Sequence, residues 1–304
     1  MHSSFKFAIA SGLILAALPL QAQYSRDSYD SNRDSGSDGG TSCSSSDRSS
    51  LQVVGLTNDQ RLICFNENQP DQAQVIGTVS GLQTDTALVG IDFRVQDGNL
   101  YGLGNAGGVY RFEKNNAVPT FVNRLTVPLD GTSFGVDFNP PADRLRVTSD
   151  KGQNLRHNVN AGGVTIIDDP LDYPPATPVN AVGPTAMGIA GSAYTNNDLD
   201  AATSTTLYAV DSMMDQVAIQ SPPNDGTLAA TGKLTVDTKP EVGFDIYSTI
   251  RDGVTVNVQA LASLTIGSNS GLYSIRLTTG KATLRGGFAV QNKVIGIAIP
   301  LNQL

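Results

Sequence analysis

Three aspartates stand at the same place in three copies of one short segment: Asp92 in VGIDF, Asp137 in FGVDF and Asp245 in VGFDI. Two weaker copies, AGSAY and IGIAI, put Ala193 and Ala298 at that place. If the copies line one channel, three carboxylates converge and repel. They then need a cation, shared protons, or hydrogen bonds from facing backbone N–H groups. The first solution is an oxygen-ligand site for calcium or magnesium. Paired carboxylates also perform acid/base chemistry, as glycoside cleavage requires. In the third solution each Asp accepts N–H bonds from a neighbouring repeat and locks the assembly. Repetition favours the structural role first, the metal second and catalysis last.

A second cluster, Gly135 to Asn158 (GVDFNPPADRLRVTSDKGQNLRHN), is the densest polar stretch of the chain and less repetitive. Arg144, Arg146 and Arg156 stand there among Asp150, Gln153 and Asn154. With Leu145 and Val147 turned inward on a strand, Arg144 and Arg146 take its other side. Guanidinium forks beside amides suit a carboxylate, a phosphate or sugar hydroxyls. The competing expectation is an Arg–Asp network pinning one repeat to the next.

Several familiar sites are missing. His157 is the single histidine beyond residue 22, so a multi-histidine metal site is excluded. No nucleophile-elbow motif accompanies it. Gly102 to Gly107 fits the letters GxGxxG but reads as strand–turn–strand, not as a phosphate loop before a helix. The absence of Trp weakens a sugar-stacking reading.

The elements that would position these residues are short strands. Gly90, Gly135, Gly191, Gly243 and Gly296 mark five copies of the same segment at intervals of 45 to 56 residues. Each of the first four copies is followed by further strand-like runs punctuated by Gly, Asn and Asp. The second unit reads Leu88–Arg94, Asn99–Gly104, Gly108–Lys114 and Thr120–Leu125. Four strands per repeat is the signature of a β-propeller blade. The expected fold is all-β, a propeller of five four-stranded blades. The first repeat, Leu51–Leu82, lacks a first strand, and a lone copy, Val294–Pro300, ends the chain. Closure by the C-terminal strand joining the N-terminal blade is therefore expected, which hides two sheet edges. A six-bladed ring and a two-sheet sandwich are the alternatives.

The flanks point to export. Residues 1–22 read as a signal peptide with an apolar run from Phe7 to Leu18, too short to span a bilayer comfortably. No other stretch reaches transmembrane length, so a periplasmic or extracellular location is expected. Residues 23–50 hold 11 serines, five aspartates and no aliphatic residue, which reads as a disordered leader before a single domain over 51–304. Cys43 and Cys64 are a candidate disulfide, with two unpaired thiols as the alternative. A formal charge of −8 excludes a nucleic-acid partner, since no basic stripe exists to neutralise phosphates.

The run of motifs GLTNDQRL, LVGIDFRVQDGNLYGLG, FGVDFNPPADRLRVTSDKGQNLRHN, AYTNN, TTLYAVDS and PPNDGTL resembles the bacterial domain of unknown function 4394 family. The resemblance covers nearly all of Leu51–Leu304 and implies an exported, propeller-like protein. It implies no activity. The reading of the residues is an exported binding or interaction module, its ligand a small polar molecule or an envelope or extracellular protein. Calcium is the one candidate cofactor. The alternative is a carboxylate- or metal-dependent hydrolase, of glycosidase or lactonase type, with its site at the central channel.

Overall fold

Strands dominate because apolar and polar residues alternate over runs of four to seven, with turn formers between. On Leu62–Phe65, Leu62 packs toward one neighbouring sheet and Ile63 and Phe65 toward the other. The fold is a computed structural model describing residues 50–114, 116–174 and 183–303. The expected signal peptide, all of the leader except Ser50, and Cys43 lie outside these. Ser50 itself is buried and accepts a hydrogen bond from Asn66.

Five four-stranded antiparallel sheets form the blades of a β-propeller. Blade 1 combines β1 (Gln52–Thr57), β2 (Arg61–Asn66) and β3 (Gln69–Thr78) with the last strand, β20 (Val294–Ala298). Blade 2 is β4 (Leu88–Phe93), β5 (Leu100–Gly104), β6 (Gly108–Phe112) and β7 (Thr120–Arg124). Blade 3 is β8 (Phe134–Asn139), β9 (Arg144–Ser149), β10 (Asn154–His157) and β11 (Thr165–Ile167). Blade 4 is β12 (Ile189–Tyr194), β13 (Leu207–Asp211), β14 (Gln216–Gln220) and β15 (Leu228–Lys233). Blade 5 is β16 (Gly243–Arg251), β17 (Val254–Ile266), β18 (Asn269–Ile275) and β19 (Ala282–Gly287). Among the described residues the one helical element is a 3-10 turn, Pro223–Asp225. No helix there is long and apolar enough to cross a membrane.

Closure occurs as expected: β20 pairs antiparallel with β1, with Val54 opposite Ala298 and Leu56 opposite Gly296. The five inner strands β20, β4, β8, β12 and β16 then neighbour one another around a ring. Apolar clusters fill the space between blades. One of them joins Leu56 and Leu62 of blade 1 to Leu88, Ile91 and Tyr110 of blade 2.

The repeated glycine sets how closely the inner strands approach. A Cβ at Gly135 would stand 2.5 Å from Ser192 N on the next inner strand, and one at Gly243 would stand 2.7 Å from Ile297 N. Gly296 has more room, its nearest neighbour atom being 3.6 Å away. Gly135→Ala is thus expected to cost about 1–3 kcal/mol through overpacking against backbone, and Gly296→Ala well under 1 kcal/mol. Urea unfolding of the two variants checks this; equal costs would remove the close-approach explanation.

Candidate functional site at the channel

Because the glycines align at one level, the residues two positions on align at another. Asp92, Asp137 and Asp245 are buried, at 7%, 4% and 7% exposure, and one carboxylate oxygen of each lies within 4.8 Å of the others. Each also latches the ring. Phe138 N donates to Asp92 Oδ2 at 2.7 Å, Tyr194 N to Asp137 Oδ1 at 3.2 Å, and Ile299 N to Asp245 Oδ2 at 2.6 Å. Every donor belongs to the next blade's inner strand or the residue just past it. Where Ala193 offers no acceptor, the facing Ile246 N turns to its own Asp245 Oδ1 at 2.6 Å. The sequence had set the structural lock beside the metal; the lock is present, and its geometry leaves the three carboxylates facing one another.

Their electrostatics follow from that placement. Burial, and then the charge of neighbouring carboxylates, holds Asp92 and Asp137 well above the usual carboxylate range. Burial pushes Asp245 up to about 7, opposed by the N–H bonds from Ile299 and Ile246. No Lys or Arg among the described residues is hydrogen-bonded or ion-paired to the three. The mouth above them is narrowed by Val95, Pro140, Asn196, Asn197 and Leu301 to a cavity of ≈ 20 Å³. That volume admits one water-sized occupant and no sugar ring.

A larger groove adjoins this mouth and shares Phe93 and Leu301 with it. It has a volume of ≈ 540 Å³ and lies between blades 1 and 2, with Val54, Leu62, Leu100 and Phe112 on its walls. Gln52 and Lys114 supply polar groups, and Gln52 Nε2 is a buried donor with no partner among the described residues. A mostly apolar cleft of this size with a few polar groups is the usual form of a small-molecule site. Sequence reasoning missed it because its walls come from both ends of the chain, Gln52 and Gln303 among them.

The Arg-rich segment does not form an open anion fork. Arg146 is 3% exposed and donates to Asp168 Oδ2 at 2.6 Å, Asn154 Oδ1 at 2.8 Å, Asn224 Oδ1 at 2.8 Å and Tyr194 Oη at 3.2 Å. It thereby pins blade 3 to blade 4. Arg156 donates to the same Asp168 at 2.9 Å, and Arg144 to the carbonyl of Asp143 at 2.7 Å. Asp150 accepts from Thr132 N and Oγ1, while Gln153 accepts from Asp130 N and donates to Pro128 O. None of the six lines the channel mouth or the groove. The expected Arg–Asp network is what the geometry realises.

His157 is fully buried, with Nε2 2.9 Å from Asn123 Oδ1 and Nδ1 3.0 Å from Thr165 Oγ1. Burial, aided by the Arg144 charge, pushes it down to about 4, so it is a neutral core residue. Cys64 is 4% exposed on β2, beside the groove, and is not a free thiol.

Comparisons with known proteins give distant structural likenesses and one family. The structure is similar to a chain of the nidogen/laminin complex at 12% identity, covering 84% of this chain and 100% of that one, TM-score 0.45. It is also similar to a Lactobacillus plantarum protein at 12% identity, covering 82% and 99%, TM-score 0.42. A third likeness is to the SapL1 lectin in complex with alpha methyl fucoside, at 11% identity, covering 78% and 75%, TM-score 0.40. No curated protein matches the sequence. The model of the domain of unknown function DUF4394 matches residues 61–298, which is most of the propeller, and the chain belongs to that family.

Proposed function

We propose that the protein is an exported binding module, with one calcium ion at the channel mouth and a small organic ligand in the adjoining groove. The observation that carries this reading is the division of space. The carboxylates have room for a single atom-sized occupant, while a ligand-sized, mostly apolar groove lies beside them. Three carboxylate oxygens from Asp92, Asp137 and Asp245 are hard donors suited to calcium. The ligand would combine an apolar body with a hydrogen-bond acceptor for Gln52 Nε2. A hydrolase acting through these carboxylates needs them open to a substrate. Their burial and their backbone latches argue against that use.

The test is the melting temperature of the propeller in millimolar calcium, in chelator, and with a panel of such small molecules. Calcium at about 100 times its dissociation constant should stabilise the fold by roughly 2.7 kcal/mol. Replacing all three aspartates by Asn should remove that response. A melting temperature indifferent to calcium returns the carboxylates to a purely structural role. Indifference to every member of the panel removes the groove as a ligand site.

A further inference from the structure

The chain has four methionines, and the three that follow Met1 gather on one patch of surface. Met187 precedes β12, and Met213 and Met214 form the turn between β13 and β14. They are 46%, 70% and 48% exposed. The two segments touch: Ser212 N and Oγ both donate to Gly188 O, at 2.9 and 3.1 Å. Gly188, at φ +153°, lies so close that a Cβ there would stand 2.5 Å from Met213 Cβ. The turn is also held from beneath. Buried Asp211 accepts the N–H groups of Met213 and Met214 on Oδ1, at 3.0 and 2.9 Å, and the Tyr173 hydroxyl on Oδ2 at 2.7 Å.

Methionine is a soft, polarizable apolar residue that normally fills core gaps. Here none of the three is in the core, although aliphatic residues such as Ile189, Ala209 and Leu228 occupy the buried positions of this blade. Exposing three thioethers on a pinned turn and the loop that touches it forgoes their burial and places soft sulfur donors on adjoining segments. Thioethers bind hard cations poorly and select copper(I). We propose that Met187, Met213 and Met214 form a soft-metal site that takes one copper(I) ion through its three sulfurs. The site is separate from the carboxylate channel in chemistry as well as place.

The experiment uses the chain without Met1, labelled with carbon-13 at the methionine methyl groups. Silver(I) is the redox-inert probe, and copper(I) is then titrated against a chromophoric chelator under ascorbate. One equivalent of silver(I) should shift all three methyl resonances together. Met→Leu keeps the volume and removes the donor. Each single variant should therefore weaken copper(I) binding at least tenfold, and the triple variant should abolish it while its melting temperature stays at the wild-type value. Failure to withdraw copper(I) from the chelator would overturn the site. So would binding unchanged in the triple Leu variant, or silver shifts confined to Met213 and Met214.

Discussion

In chelator, the protein is expected to lose stability as the pH rises from about 5 to about 8, and the loss is expected to disappear when Asp92, Asp137 and Asp245 are all replaced by Asn. Each carboxyl has a folded pKa raised above its unfolded value by burial. Such a group contributes its full stability below the unfolded pKa and loses it as the pH climbs through the folded one. For Asp245 the rise from 3.8 to about 7 corresponds to roughly 4 kcal/mol lost between about pH 4 and pH 7, roughly 3 kcal/mol of it above pH 5. Asp92 and Asp137 act in the same direction. His157 acts oppositely: its pKa is pushed down to about 4, so its contribution is complete above about 6.5 and is lost as the pH falls. The His157 gain falls in the same pH range as the carboxyl losses and is outweighed by them, and the difference between wild type and the Asn variant isolates the three carboxyls. Asn keeps an acceptor for Phe138, Tyr194 and Ile299 N–H, so the latches survive. Calcium at pH 8 should restore most of the lost stability. Urea unfolding at four or five pH values reads all of this. A difference curve flat from pH 5 to 8 would mean that the carboxyls are not held above their ordinary range.

Arg146→Met costs about 3–5 kcal/mol, whereas Arg156→Met costs about 1 kcal/mol or less. Both arginines pair with Asp168, whose side chain is 4% exposed. Removing Arg146 leaves that buried carboxylate with only the one-third-exposed Arg156 as its cationic partner, and leaves Asn154, Asn224 and Tyr194 without their shared donor. Arg156 is one-third exposed, so solvent already screens its attraction and can replace it. Paired urea denaturation curves decide the matter. Similar small losses in both variants would mean that Arg146 does not pin blade 3 to blade 4, and would reopen it as a ligand contact.

Much of the architecture is legible in the residues. The five glycine-marked segments, at intervals of 45 to 56 residues, become β4, β8, β12, β16 and β20. The expected strand Gly108–Lys114 is observed as Gly108–Phe112, and Thr120–Leu125 as Thr120–Arg124. This works because period-two alternation and turn chemistry are local properties, and because a repeat reports its own pattern several times. Ring closure is legible for a related reason: a repeat short of one strand and a strand short of a repeat complete each other.

What tertiary structure decided is where side chains point and how near they come. The sequence placed Arg146 on the side of its strand opposite Leu145 and Val147; packing of blade 3 against blade 4 makes it a buried staple with Asn224, 78 residues away. It aligned the three aspartates, and only the closed ring brings their oxygens within 4.8 Å and gives each an N–H from the next blade. The groove joins Gln52 to Gln303, and the methionine patch joins residue 187 to residue 213. Such meetings depend on tertiary packing, between blades for the groove and within blade 4 for the methionines, which no local pattern of residues encodes.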